Sequence, residues 1–234
     1  MKIDRVCQLN KQFEINNNNW IVDFESSNNH HFRIKKDKSK IMISAPHSVN
    51  HIREWEVLKT DILTWGLALY LSEQFNLPCI YSTSYYVWDP NFDELEASEY
   101  KQSLIKFIKD NNIKFLLDLH WCDFDRNFAI ELWTWWESHP NLQWNQKLLN
   151  LIKDSLNKSL IAYLWHTWRE ITVNTLFPAS YRNTISNFVA VKTHIPTIQL
   201  EINFDLRNPK NEDKLSKLIQ ALENLIVELQ EFFN

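Results

Sequence analysis

Short apolar runs alternate with stretches of helical period along most of the chain. The clearest run is Lys114-Phe115-Leu116-Leu117-Asp118-Leu119-His120, with an acid inside it and a histidine at its end. Apolar runs of about four to eight residues read as strands covered on both faces, as in a parallel sheet under helices. Residues 40–47 end in His47 in the same way, and 196–202 carry Glu201 in an otherwise apolar segment. Pro78 to Ser82 and Asn127 to Leu132 read as further strands. Helices are expected within 58–75 (Leu63, Leu67, Leu71 and Phe75 on one face), 94–112 (Tyr100, Leu104, Phe107, Ile108) and 142–156. Leu215, Leu218, Ile219, Leu222, Leu225, Ile226 and Leu229 mark a closing amphipathic helix, with Pro209 as its first residue and Asn208 as its cap.

Strands alternating with helices of this length imply an α/β protein, a three-layer α/β/α sandwich with a mainly parallel, mixed central sheet. Residues 1–39 hold short β-prone pieces (Trp20 to Phe24, His31 to Ile34) between Asn/Ser loops, and are expected to add an N-terminal β-hairpin to the single domain 40–234. Residues 160–194 are the least legible. They suggest a strand, a substrate-facing loop around Phe177-Pro178-Ala179, and a helix.

Composition narrows the setting. A net charge of −4 without a basic stripe gives no reason to expect nucleic acid. Cys7, Cys79 and Cys122 form neither a disulfide framework nor a CxxC zinc site, which favours a reducing, cytoplasmic compartment. No leading segment resembles a signal peptide, and no apolar run is long enough to span a bilayer. The oligomeric state leaves no trace in the sequence.

One count is abnormal. The chain has one glycine, Gly66, and 11 tryptophans, whereas average usage of about 7% would give roughly 16 glycines. Several tryptophans sit where turns want glycine: Trp20 after four asparagines, Trp55 in Arg-Glu-Trp-Glu, Trp88 before Asp-Pro-Asn, and Trp121 directly after a strand end. The expectation is that most of them stand for glycine, through UGA codons that the source reads as Gly and that were translated as Trp. The alternative is a Trp-rich surface that stacks on sugars or bases.

Three strand ends carrying His47, His120 and Glu201 suggest a metal hydrolase, because ligands of open α/β sheets bind beyond the carboxyl ends of the strands. Zinc hydrolases need about three His or carboxylate ligands with an open position for water, and a general base that is not itself a ligand. His47, His120 and a nearby acid supply the first set, and Glu201 the second. Asp118 is a candidate to orient a ligand histidine, and Asp89 and Asn91 suit a turn as well as a substrate contact. His51, His139, His166 and His194 read as ordinary residues.

Ser44-Ala45-Pro46-His47-Ser48, Arg53, Lys59-Thr60-Asp61 and Thr64 resemble the opening motif of the N-formylglutamate amidohydrolase family. Asp89-Pro90-Asn91-Phe92-Asp93, Leu117-Asp118-Leu119-His120, Arg126, the run Ile195 to Asn203, and Arg207 follow in family order, from about residue 40 to the end. The resemblance implies a zinc-carboxypeptidase-like fold, one Zn2+ ion, and cleavage of the amide bond of a small N-acylated amino acid. It places the acidic ligand at Asp61, with Glu54 and Glu56, closer in sequence to His47, as alternatives. Carried over, His47, Asp61 and His120 hold the metal, Glu201 is the base, and Arg126 or Arg53 stabilises the oxyanion. Arg53, Arg126, Arg207, Asn91 and Asn203 are the candidates to bind the substrate, its carboxylate suiting a guanidinium fork. Other readings are a carboxypeptidase-like peptidase on cell-wall or γ-glutamyl peptides, and a non-catalytic binding descendant. The chain departs from the pattern at Trp121, and in Glu131-Leu132-Trp133-Thr134-Trp135 where Gly-Thr-Gly is usual; read as glycine these departures vanish, whereas a true indole would crowd the pocket beside a metal ligand.

Overall fold

The computed structural model describes residues 2–17, 31–83, 89–94, 98–135, 140–176 and 183–234. Among the described residues, nine strands and seven α-helices follow the alternation of the sequence. They are α1 (Lys2–Asn17), β1 (Phe32–Lys35), β2 (Ile41–Ala45), β3 (His51–Arg53), β4 (Glu56–Leu58), α2 (Thr64–Phe75), β5 (Cys79–Ser82), α3 (Glu99–Asp110), β6 (Phe115–Cys122), β7 (Phe128–Trp133), α4 (Gln146–Thr167), β8 (Glu170–Val173), α5 (Ile185–Thr193), β9 (Thr197–Asn203), α6 (Phe204–Arg207) and α7 (Glu212–Phe233).

Seven strands form one sheet in the order β1-β5-β2-β6-β9-β7-β8, and β3 and β4 make a separate antiparallel ribbon. The pairings β5/β2, β2/β6, β6/β9 and β7/β8 are parallel. Those of β1 with β5 and of β7 with β9 are antiparallel, so the sheet is mainly parallel and mixed. The strand order reverses between β2 and β6, because the chain runs outward from β2 to β5 and then returns to lay β6 on the other side. Such a reversal opens a crevice at the carboxyl ends of the strands.

The period of two within the strands divides the core. Leu117, Leu119, Ile198, Leu200 and Ile202 point to the face packed by α1, α2, α4 and α7. Met42, Ile80 and Leu116 point to the other face, against Tyr100, Leu104 and Phe107 of α3 and Ile185 and Val189 of α5. Further along β6 and β9 that second face turns polar, presenting Asp118, His120, Gln199 and Glu201. The alternation within one apolar run thus delivers chemistry to one side and core to the other.

The helix starts are capped by short polar side chains. Ser98 accepts from the Lys101 amide, Asn145 from Leu148, and Asn211 from Lys214. The α7 cap therefore falls at Asn211, with Asn208 and Pro209 in the preceding turn, later than the proline suggested. Asn211→Ala is expected to cost about 1 kcal/mol, read as a lower urea midpoint at unchanged slope. Gly66 lies where α1 crosses α2, and a Cβ there would meet the Val6 carbonyl oxygen at 2.8 Å.

Two expectations change. Residues 2–17 are a helix packed on α2 and α7 where a hairpin was expected. Val6 and Leu9 give that helix a buried face, which outweighs the β-prone reading of the region. The expected strand at 31–34 does form, as the edge strand β1, while Trp20 to Phe24 lies outside the described residues. In 160–194, α4 runs on to Thr167 before β8 and α5, and the loop at 177–179 is also outside the described residues. No helix among the described residues is long and apolar enough to cross a membrane.

Candidate metal centre

His47 follows β2 by two residues, His120 is on β6, and Glu201 is directly opposite His120 on β9. The loop 46–63 brings Asp61 back beside His47: the Asp61 amide donates to the His47 carbonyl at 2.8 Å, and Thr64 Oγ1 donates to the Asp61 carbonyl at 2.7 Å. Three donor atoms converge. His47 Nδ1 and His120 Nδ1 are 3.2 Å apart, and Asp61 Oδ2 lies 3.5 Å from the first and 3.8 Å from the second. A tetrahedral ion with bonds of about 2.0–2.1 Å needs donors roughly 3.3 Å apart. All three residues are buried, and Asp61 Oδ2 has no hydrogen-bond partner among the described residues. A buried, unpartnered carboxylate oxygen facing two imidazole nitrogens fits a divalent cation, and the mixed N/O donor set suits zinc. Glu54 lines the cavity and Glu56 is exposed on β4, so Asp61 is the acid that groups with the two histidines.

Each histidine is oriented from behind. His47 Nε2 lies 2.9 Å from Asp89 Oδ1, and His120 Nε2 lies 3.1 Å from Asp118 Oδ2. A carboxylate on the distal nitrogen holds its proton there and leaves the Nδ1 lone pair for the centre. Burial alone would depress His47, but the Asp89 and Asp61 carboxylates outweigh it and lift the imidazole to about 10. His120 is raised despite its burial, chiefly by Asp118. A cation must therefore displace a proton at neutral pH. Zinc affinity is expected to rise about tenfold per pH unit for each proton released between about pH 6 and pH 8. Competition with a chromophoric chelator measures this, and a pH-independent affinity would mean that His47 is not a ligand.

Glu201 is buried, accepts a hydrogen bond from Gln199 Nε2 at 2.8 Å, and is pushed up to about 7 by burial. A carboxyl of that basicity takes and returns protons near neutrality. The groups open into a cavity of about 810 Å³ whose wall includes Arg53, Lys59, Asn91, Trp121, Arg126 and Trp133. Arg53 grips Asp89 Oδ2 through Nε at 2.6 Å and Nη2 at 2.5 Å, with its guanidinium 5.4 Å from the Phe92 ring centroid. Asn91 accepts from the Ile185 amide at 2.8 Å, tying two sides of the cavity together.

Two residues expected to bind substrate are used elsewhere. Arg207 is fully buried, donates to the carbonyls of Ile202 and Ile62, and lies 4.7 Å from the Trp121 ring centroid. It braces the turn after β9 and offers no fork to a ligand. Asn203 donates to the Arg126 and Phe128 carbonyls, both at 3.1 Å, and accepts from the Asp205 amide and from Arg169. Its amide is consumed in joining β9 to β7 and starting α6. Trp121, as an indole, stands on the cavity wall with Arg207 against its ring.

His51, which reads as an ordinary residue in the sequence, stacks on His47 with ring centroids 4.1 Å apart and its Nε2 3.5 Å from Asp89. Its burial holds it down at about 3. His47, His51 and Asp89 form a second cluster with metal-like spacing. Asp89 already carries the Arg53 guanidinium, which disfavours a second cation there. Asp-Pro-Asn reads as a turn, and Asp89 does accept from the Phe92 and Asp93 amides. Only the tertiary fold aims its carboxylate at His47.

No family model and no curated protein matches the sequence. Solved structures do share the fold. N-formylglutamate amidohydrolase from Ralstonia eutropha superposes with a TM-score of 0.58 at 11% identity, covering 84% of this chain and 96% of that one. A gene product of Agrobacterium tumefaciens superposes with a TM-score of 0.53 at 14% identity, covering 88% and 97%. The chain thus shares the fold of these two structures, here a mainly parallel, mixed sheet between helices.

Proposed function

We propose that this chain is a zinc-dependent amidohydrolase that cleaves the amide bond of a small N-acylated amino acid of the N-formylglutamate kind. The observation that carries the reading is the convergence of His47 Nδ1, His120 Nδ1 and Asp61 Oδ2 within 3.8 Å, beside a buried glutamate that is not one of the three. The shared fold supports it, since one superposed structure is an N-formylglutamate amidohydrolase.

One zinc ion held by His47, Asp61 and His120 would supply Lewis acidity, acidifying a water and polarising the acyl carbonyl. Glu201 takes the proton of the attacking water on its carboxylate and returns it to the leaving nitrogen. Its burial keeps it basic enough for the first transfer and acidic enough for the second. Arg126 on the cavity wall offers a cationic donor to the developing oxyanion. Arg53 and Lys59 make the cavity attractive to a carboxylate, and Asp89 holds the Arg53 fork in one orientation. A reducing, cytoplasmic setting completes the proposal, supported by the absence of a cysteine framework.

The test is a panel of N-formyl, N-acetyl and γ-glutamyl amino acids offered to the zinc-loaded protein, with Glu201→Gln as control. Turnover of an N-acyl amino acid that the variant loses is the expected result. Activity confined to peptides would shift the reading to a carboxypeptidase-like enzyme, and no zinc-dependent turnover on any arm would leave a binding protein.

A further inference from the structure

The backbone bears on the abnormal tryptophan count at four of the 11 positions. Trp55 (φ 71°), Trp135 (φ 57°), Trp144 (φ 57°) and Trp168 (φ 56°) all lie in the left-handed region. That region is an outlier for a bulky side chain and the ordinary place of glycine. Two of the turns they occupy are glycine turns on independent grounds. Glu54-Trp55 links β3 to β4 as a two-residue hairpin loop with φ positive at both positions, the pattern whose second residue is preferentially glycine. Trp168 is the left-handed residue that ends α4, where helices very commonly place glycine. Burial gives no reason for an indole at three of them, since Trp55 is 97% exposed, Trp144 66% and Trp168 86%. Trp65 contrasts with them: it is helical, buried in α2 and edge-on to the Tyr81 ring at 5.7 Å.

We infer that positions 55, 135, 144 and 168 are glycine in the protein as its source makes it, encoded by UGA codons that the source reads as Gly. The single glycine, Gly66, and true tryptophans such as Trp65 would come from ordinary codons in the same message. The inference stands on backbone conformation and exposure and does not depend on the proposed activity.

Peptide mass spectrometry of the protein purified from its source is the direct test. Glycine at all four positions is expected, and tryptophan at any of them overturns the inference. A second measurement uses two recombinant chains, one with the present sequence and one carrying W55G, W135G, W144G and W168G together. The glycine chain is expected to melt several degrees higher, because four left-handed turns lose a β-carbon that crowds them. An equal or lower melting temperature overturns the inference.

Discussion

Glu201→Gln is expected to lower turnover by about 10²–10⁴-fold, the usual contribution of a positioned acid–base group, with one zinc still bound. The amide keeps the size of the side chain and can still meet Gln199, so the change isolates proton transfer from packing. The role proposed for Glu201 rests on where it stands. It is opposite His120 across the β6/β9 ladder, it is buried, and burial has moved its carboxyl to about 7. Steady-state kinetics together with metal analysis check the result. Wild-type turnover in the variant would remove Glu201 from the mechanism, and loss of zinc alongside activity would instead make it a ligand.

His120→Ala is expected to abolish both zinc retention through gel filtration and zinc-dependent turnover. His120 Nδ1 is one corner of the triangle with His47 and Asp61. Removing that corner leaves two donors where a protein site of this kind needs about three. Asp118→Asn is the graded comparison. The Asp118 carboxylate touches only the distal Nε2, at 3.1 Å, and loss of such an outer partner typically weakens metal binding by about 10–100-fold. Equal zinc content in wild type and His120→Ala would exclude the histidine from the centre.

The elements that were legible in the sequence are those whose pattern is local. The β6 run announced its strand and the histidine on it, although the strand continues two residues past His120 to Cys122, and the seven leucines and isoleucines of α7 set its inner face. His47 and His120 stood out because strand ends are functional places, and Asp61 emerged from motif order. What stayed hidden depends on contacts far apart in sequence. Nothing near Asp89 tells of His47, 42 residues earlier, and nothing in His51 tells of the ring it stacks on. Arg207 and Asn203 misled for a related reason. A polar side chain just past a strand end looks available until the following turn claims its hydrogen bonds. The N-terminal helix was obscured because its apolar positions are few, and only packing on α2 and α7 makes it form.

The carboxylate of Asp89 joins two equilibria. One oxygen faces the His47 ring and the other the Arg53 guanidinium. An anion that draws Arg53 toward itself leaves that carboxylate with more of its negative charge for the imidazole, which then donates more strongly to a cation. Thermodynamic reciprocity makes the converse equal in size: whatever factor substrate adds to metal retention, the metal adds to substrate affinity. If the proposed ion and carboxylate substrate bind as described, their occupancies rise together through Asp89.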